Sequence, residues 1–220
     1  MRISKYIHSC LLVEEGGVKI LFDPGTFSFK EDRVSPYDFT ELSAVCITHQ
    51  HVDHVDIGAL KIIMANNIHA KLFTNTGVAH ILASEGIEAE IYEEGEKNIG
   101  GVRIEAYSAD HEPLLTPVPH NTAYIINGTF LHPGDSLNVS LHKYAGVSVL
   151  ALPVTAPWAD KVRIAEFGAA MHPKHIIPIH DGYVKEFFLS MQYKEFAAYV
   201  KDYGSMFHSI NNPGEEVIIE

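Results

Sequence analysis

With 220 residues, the chain is long enough for one domain with a substantial core and short for two full-sized ones, so we predict a single domain spanning residues 1–220. Hydrophobic residues make up 46% of the chain and charged residues 20%, which argues against a disordered or fibrous protein. The formal net charge of -12 disfavours attraction to nucleic acid or to an anionic membrane, so we expect neither as a partner.

The two cysteines, Cys10 and Cys46, both lie inside apolar segments, where buried free thiols are more common than a disulfide bridge. The apolar run near the N-terminus is interrupted by Glu14 and Glu15, so it is too short to cross a bilayer, and it lacks a small-residue cleavage pattern. We therefore expect a cytoplasmic protein.

The first predicted element is a β-hairpin. Strand-type residues at 9–13 and 18–22 flank the turn residues Glu14-Glu15-Gly16-Gly17. The hairpin ends at Asp23-Pro24-Gly25, because proline and glycine interrupt the strand ladder. The polar stretch 26–39 that follows is predicted to be a loop.

Strands and helices alternate over much of the remaining chain, which is typical of an α/β protein. Apolar residues recur with strand or helix spacing in this order: strand 44–47, helix 57–64, strand 71–74, helix 78–82, strands 102–107, 122–126 and 147–152, helix 158–171, strand 176–179 and helix 184–200. Two mixed halves within one domain are compatible with a four-layer αββα sandwich, and this is the fold class that we predict.

Three imidazoles and one carboxylate are concentrated directly after the strand at 44–47, in Thr48-His49-Gln50-His51-Val52-Asp53-His54. Histidine and aspartate are ligand types of borderline divalent metals, and a loop at a strand end can turn alternate side chains toward one point. A polar surface loop is the simpler explanation for any single histidine, but it does not account for the whole motif. The segment is therefore predicted to bind metal.

The motif His-X-His-X-Asp-His, directly after Val45-Cys46-Ile47-Thr48, resembles the signature of the metallo-β-lactamase superfamily. Further segments match in the order in which that family has them: Leu21-Phe22-Asp23-Pro24-Gly25, Ala109-Asp110-His111, His132-Pro133-Gly134-Asp135-Ser136 and Ile177-Pro178-Ile179-His180-Asp181-Gly182. The flanking residues, including Tyr6-Ile7-His8-Ser9-Cys10, are most similar to the branch that contains ascorbate-phosphate lactonases and poorly characterised metal-dependent hydrolases.

The resemblance implies that six matched residues hold two divalent metal ions, three for each ion: His49, His51 and His111 for the first, and Asp53, His54 and His180 for the second. Asp135 would bridge the two ions, and Asp23 would orient a metal-binding histidine from behind. Nitrogen and oxygen donors without a thiolate suit zinc, and they leave manganese or iron open.

Five further side chains near these motifs have no assigned role and are candidates for contacts with substrate: His8, His120, His132, Trp158 and Tyr183. His120 is an alternative to His111 as a ligand, although no β-type run directly precedes it. His8 and His132 are expected either to hydrogen-bond to site residues or to be purely structural. Trp158 and Tyr183 would lie at the mouth of the site, where each either contacts substrate or only packs.

The implied chemistry is hydrolysis of a small ester, lactone or phosphodiester by a hydroxide that bridges two divalent ions. Asp53, as a proton carrier, and Asp135, as the bridge between the ions, are the predicted catalytic residues. Two alternatives stay open: an iron-dependent redox or sulfur-oxidising enzyme on the same fold, and a metal-binding protein without turnover. A small-molecule substrate is expected, and the sequence leaves a homo-oligomer open.

Overall fold

The computed structural model describes residues 1–220, except for the side chain of residue 31. In chain order the strands are β1 (Arg2–Lys5), β2 (Leu11–Glu15), β3 (Val18–Phe22), β4 (Ala44–Cys46), β5 (Lys71–Thr74), β6 (Glu90–Ile91), β7 (Gly95–Ile99), β8 (Val102–Ser108), β9 (Thr122–Ile126), β10 (Phe130–His132), β11 (Val149–Pro153), β12 (His175–Ile179), β13 (Met206–Phe207) and β14 (Glu215–Ile218). The helices are α1 (Thr26–Phe29), α2 (Ile57–Asn66), α3 (Thr76–Ser84), α4 (Lys161–Ala170) and α5 (Glu186–Lys201), with 3₁₀ turns at Lys30–Asp32, Pro36–Asp38 and Val139–Tyr144.

The strands form two mixed seven-stranded sheets, with the orders β14-β1-β2-β3-β4-β5-β6 and β13-β12-β11-β10-β9-β8-β7. Within the first sheet β3, β4, β5 and β6 run parallel, and within the second β10, β11, β12 and β13 do so. The parallel strand β11 is buried along its whole length, whereas the antiparallel strand β8 alternates between buried and half-buried residues. Parallel strands are typically covered on both faces, so all of their residues are buried, whereas an antiparallel strand can leave one face toward solvent.

The two sheets face each other across a common apolar core that contains side chains from both, such as Phe22 and Cys46 from one and Tyr124 and Ile177 from the other. A second cluster joins the outer face of the second sheet to α4 and α5, and a third joins the outer face of the first sheet to α2 and α3. The predicted αββα sandwich is therefore confirmed. The single domain predicted for residues 1–220 stays a prediction, which the shared core supports.

Side chains cap the first turns of α2 and α3. Asp56 accepts a hydrogen bond of 2.9 Å from the backbone N–H of Ala59 at the start of α2. Asn75 accepts one of 3.0 Å from Val78 N–H at the start of α3. Such caps each contribute about 1 kcal/mol, and the one at Asp56 fixes the point at which the polar segment 48–54 gives way to helix.

The structure differs from the sequence-based prediction mainly in short elements. The stretch 26–39, predicted to be a loop, contains α1 and two 3₁₀ turns, because Ser28 Oγ donates to the carbonyl of Ile7 and Ser35 caps the turn at Pro36–Asp38. Strands β1 and β14 were not predicted. They lie at opposite ends of the chain and pair with each other, as in the register Arg2↔Ile218. No local sequence pattern indicates a pairing between segments so far apart.

Cys10 and Cys46 are buried free thiols, as expected from their apolar surroundings. Burial raises the pKa of the Cys10 thiol to about 12, so this group is not a nucleophile at neutral pH. Among the residues that the structure describes, no helix combines the length and the apolar character needed to cross a membrane.

Candidate metal centre

Every predicted site residue lies in a loop that follows the C-terminal end of a strand. The segment 49–54 follows β4, His111 follows β8, Asp135 follows β10 and His180 follows β12. The two sheets bring these loop ends to one edge of the sandwich, where their side chains form two adjoining groups. Loops at strand ends can present polar side chains while the strands behind them stay rigid.

The loop after β4 is held in place by the chain that follows β3. A Cβ atom at residue 25 would lie 1.8 Å from the backbone oxygen of Asp53, so only glycine permits this close approach. Thr26 N–H donates to the carbonyl of Val52 (2.8 Å), and Asp56 N–H donates to that of Pro24 (2.9 Å). The C-terminal half of the motif is therefore fixed by backbone contacts.

Asn121 links the loops that carry His111 and Asp135, a role that the sequence analysis missed. Its Nδ2 donates to the carbonyls of Ala109 (3.0 Å) and Pro133 (2.9 Å), and its Oδ1 accepts from Asp135 N–H (3.2 Å). Asn121 is buried. The only sequence signal is a polar residue directly before an apolar strand, which does not identify its partners.

The first group contains His49, His51, His111 and Asp135. The Nε2 atom of His49 lies 2.9 Å from Nδ1 of His51. Asp135 Oδ2 lies 3.8 Å from His49 Nε2 and 3.5 Å from His111 Nε2. These separations suit donors that surround one ion, because ligand atoms about 2.0–2.2 Å from a metal are roughly 3–4 Å from one another.

The second group contains Asp53, His54 and His180, together with His8. Asp53 Oδ2 lies 3.7 Å from His180 Nε2 and 4.0 Å from His54 Nε2. Asp135 also reaches this group, with Oδ1 3.3 Å from His54 Nε2 and Oδ2 3.1 Å from His180 Nε2. The structure therefore brings all seven predicted residues together and places Asp135 between the two groups.

Three histidines are oriented by hydrogen bonds from the ring nitrogen that faces away from the centre. The Nδ1 atom of His54 lies 2.7 Å from Asp23 Oδ2, that of His111 lies 2.7 Å from the carbonyl of Glu112, and that of His180 lies 2.7 Å from the carbonyl of Thr155. A carbonyl or carboxylate accepts, so each Nδ1 carries the proton and each Nε2 keeps its lone pair.

The inward-facing atoms fit bound cations. His54 Nε2, His111 Nε2 and Asp135 Oδ1 are buried and have no hydrogen-bond partner among the described residues. Buried polar atoms are rarely left unpaired unless an ion or ligand completes them. Lone pairs on nitrogen and oxygen, facing one another across a few ångströms, are the donor set of a divalent metal centre.

His8 has the opposite tautomer. Its Nδ1 accepts a hydrogen bond of 3.0 Å from Gly182 N–H, so its proton is on Nε2, which donates to Asp53 Oδ2 at 3.1 Å. Its lone pair therefore faces away from the centre, and the residue orients Asp53. His132 resembles it, because Nδ1 accepts from Gly134 N–H (3.2 Å) and Nε2 donates to the carbonyl of Ser9 (3.3 Å).

The remaining candidates divide into one outside the centre and two at its edge. His120 is exposed and pairs with Glu93 at 3.3 Å, so it lies in neither group. Trp158 donates from its indole Nε1 to Asp135 Oδ2 at 3.0 Å, and its ring lies 5.5 Å from that of His180. The ring of Tyr183 also lies near His180, at 5.7 Å.

The electrostatics at His54 and His180 favour positive charge, whereas burial lowers the pKa of His49 and His51. Burial lowers the pKa of His54, but Asp135 and Asp23 outweigh burial and raise this pKa well above its ordinary value. Burial likewise opposes protonation of His180, whose pKa is nevertheless raised by Asp135. Carboxylates that stabilise a proton on an imidazole would also stabilise a divalent cation in its place.

Backbone strain also concentrates at this edge of the sandwich. His8, Asp23 and His180 adopt φ angles of 64°, 43° and 62°, in the left-handed region that favours glycine. Residues held in such conformations cluster at functional sites, where the surrounding structure offsets the strain.

We predict that Asp23→Asn weakens the binding of one metal ion by about 10-fold to 100-fold. Asp23 Oδ2 accepts from both His54 Nδ1 and Thr48 Oγ1 at 2.7 Å, and an amide NH₂ in its place accepts from neither. Zinc titration followed by calorimetry measures the change. The control is Asp56→Asn, because asparagine caps a helix as well as aspartate does. Equal zinc affinity in both variants would show that Asp23 does not orient a ligand.

Comparison with known proteins agrees with this geometry. A family described as "Beta-lactamase superfamily domain" matches residues 2–180. Protein Rv0786c of Mycobacterium tuberculosis is 33% identical over 195 residues, covering 84% of this chain and 85% of the relative. A UPF0173 metal-dependent hydrolase of Chelativorans sp. (strain BNC1) is 28% identical over 189 residues, covering 83% and 74%.

Among solved structures, Igni18, described as a metallo hydrolase from the archaeon Ignicoccus hospitalis, superposes with a TM-score of 0.75. It is 23% identical, and the match covers 100% of this chain and 98% of that one, so it supports the fold. The family match spans all seven residues of the two groups. The chain belongs to the metallo-β-lactamase superfamily.

Proposed function

We propose that the chain is a metal-dependent hydrolase that holds two divalent cations and cleaves a small ester, lactone or phosphodiester. The observation that carries the proposal is the pair of donor groups with Asp135 between them. The name of the Chelativorans relative supports the reaction class. We also propose that, within the superfamily, the chain is most similar to the branch that contains ascorbate-phosphate lactonases.

The ligand assignment follows the two groups. Four residues would hold the first cation, namely His49, His51, His111 and Asp135, and four the second, namely Asp53, His54, His180 and Asp135. When bound, the two cations would polarise the bond under attack and lower the pKa of a water molecule toward neutrality. Zinc is the metal that we propose, with manganese or iron as alternatives for the same donors.

Asp53 is the residue that we assign to proton transfer. Its side chain is 20% exposed, whereas Asp135 is 2% exposed, so Asp53 is the carboxylate that a substrate can reach. Burial raises the pKa of Asp53, but the hydrogen bond from His8 and the nearby imidazoles hold it below the ordinary value. Asp53 is therefore ionised, the state that both a metal ligand and a proton acceptor need, and His8 keeps its carboxylate in place.

Trp158 would hold Asp135 from the solvent side. Its indole N–H can only donate, and it does so to Asp135 Oδ2. The ring also lies 5.5 Å from the ring of His180, so it forms part of the wall of the centre. An iron-dependent redox enzyme would use the same donors. The bound metal and the reaction catalysed are therefore both needed to distinguish it from a hydrolase.

The decisive experiment combines metal analysis with a substrate panel. The purified protein is stripped with a chelator, reloaded with zinc, manganese or iron, and tested on generic carboxylic esters, lactones and phosphodiesters. We expect about two ions per chain, no hydrolysis after stripping, and recovery on reloading. Stoichiometric iron with oxygen consumption would favour the redox enzyme, and two ions without turnover on any substrate would favour a binding protein.

A further inference from the structure

Glu112 is a buried glutamate that directly follows His111 and has no part in the proposed hydrolysis. Its side chain is 3% exposed. Its backbone carbonyl accepts the hydrogen bond of 2.7 Å from His111 Nδ1, and any residue at this position could supply that carbonyl. Glutamate is rarely buried unless it is paired, so the side chain needs an explanation of its own.

The side chain of Glu112 contacts two other parts of the fold. Its Oε1 accepts a hydrogen bond of 2.8 Å from the backbone N–H of Leu137, in the loop that carries Asp135. Its Oε2 lies 2.5 Å from Nη2 of Arg163, in the first turn of α4, and this contact is an ion pair rather than an aligned hydrogen bond. Because a buried charge is stable only with such partners, the side chain is held at two points.

The backbone N–H of Glu112 adds a third contact, which reaches Asp135 itself. It donates to the carbonyl of Asp135 at 2.9 Å. The N–H of Asp135 donates to Asn121 Oδ1 at 3.2 Å, so the segment between β8 and β9 holds both backbone polar groups of Asp135. Glu112 therefore links the loops that carry two residues of the first donor group.

The chain that follows Glu112 offers no comparable restraint. Among the described residues, no backbone–backbone hydrogen bond involves residues 113–119, and Leu115 is fully exposed. Such a segment is easily displaced. Pro113 has no N–H and only confines the preceding residue to extended backbone. The direction of the Glu112 carbonyl, and with it the ring of His111, therefore depends on the contacts that Glu112 makes.

We propose that Glu112 is a positioning residue of the metal centre. Its side chain, anchored by Leu137 and Arg163, holds the carbonyl that orients His111 and maintains the 3.5 Å between His111 Nε2 and Asp135 Oδ2. The inference rests on the proposed two-cation centre and adds a residue whose side chain acts through His111 and Asp135.

Zinc titration of the chelator-stripped protein by calorimetry tests the anchor. Glu112→Ala removes both side-chain contacts and keeps the backbone groups, and we expect one of the two ions to bind about tenfold more weakly. Glu112→Gln should recover most of this loss. Its amide oxygen can accept from Leu137 N–H, and the guanidinium of Arg163, which is 48% exposed, can turn toward solvent. Equal losses in the two variants would overturn the proposal.

Glu93→Ala is the matched control. Like Glu112, Glu93 accepts a hydrogen bond from a backbone N–H, that of Thr76 at 2.6 Å, and pairs with a basic side chain, that of His120 at 3.3 Å. It belongs to neither donor group, so this variant should bind zinc as the wild type does. A loss of zinc affinity as large as that of Glu112→Ala would overturn the proposal, because the effect would not be specific to Glu112.

The tautomer of His111 in the stripped protein separates positioning from stability. Nitrogen-15 NMR of the ring, assigned by its absence in His111→Gln, should show only the Nδ1–H form in the wild type, in Glu93→Ala and in Glu112→Gln. In Glu112→Ala we expect a mixture of the two tautomers. If Glu112→Ala unfolded at a lower temperature but kept the wild-type tautomer and zinc affinity, Glu112 would be purely structural and the proposal would be wrong.

The two proposals fail in different ways. A wild type that binds no zinc would reject the two-cation centre, and the proposed role of Glu112 toward a metal ion with it. Two ions bound with equal affinity by the wild type and by Glu112→Ala would reject the role of Glu112 and retain the centre.

Discussion

Replacing Asp135 with asparagine is expected to reduce kcat/KM for ester hydrolysis by about a thousandfold or more and to release at least one metal ion. Asp135 lies within 3.8 Å of an imidazole nitrogen in both donor groups, and it supplies the negative charge that the two cations share. The amide keeps the shape and removes that charge. Several kcal/mol of transition-state stabilisation depend on the metal ions that it holds.

Metal counts and rates measured on the same samples test this expectation. The matched control is Asp110→Asn, because Asp110 is an exposed carboxylate beside His111 that belongs to neither group. Thermal unfolding of both variants shows whether the fold is retained. An Asp135→Asn protein with two ions and near-normal rates would refute the assignment of Asp135 as the shared ligand.

Lys5→Met is expected to lower the free energy of unfolding by about 3–5 kcal/mol, the largest stability effect that we predict. Lys5 Nζ contacts both carboxylate oxygens of Asp181, at 3.0 and 2.9 Å, and the two side chains are 5% and 2% exposed. Tyr193 donates to the same carboxylate. Removing the ammonium leaves the buried carboxylate of Asp181, next to His180, without a counter-charge. The free-energy cost of that uncompensated charge exceeds the net stabilisation that the intact ion pair provides.

Urea unfolding of three variants measures the effect. Lys61→Met is the control, because the Lys61–Glu85 pair is 48% and 49% exposed and should contribute under about 1 kcal/mol. The double variant Lys5→Met with Asp181→Asn removes both charges and should recover part of the loss. If Lys5→Met lowered the free energy of unfolding no more than Lys61→Met does, burial would not make the Lys5–Asp181 pair more stabilising than an exposed pair.

The sequence by itself determined the metal motif and its order in the fold. Four donors fall within the six residues 49–54, directly after the apolar strand β4, so their proximity follows from local chain geometry. Alternating strands and helices gave the fold class for the same reason, since periodicity is a local property. His111, Asp135 and His180 were assigned through the resemblance of their flanking segments to the metallo-β-lactamase superfamily, because no local pattern joins them to residues 49–54.

Only the tertiary structure decided how these donors are held. His8 reaches Asp53 across 45 residues, Trp158 reaches Asp135 across 23, and the acceptor that fixes His180 is a backbone carbonyl, that of Thr155. A carbonyl is present at every residue, so the sequence cannot mark the one that orients a ligand. Tautomers and the pairing of β1 with β14 arise from contacts between distant segments, which packing alone specifies.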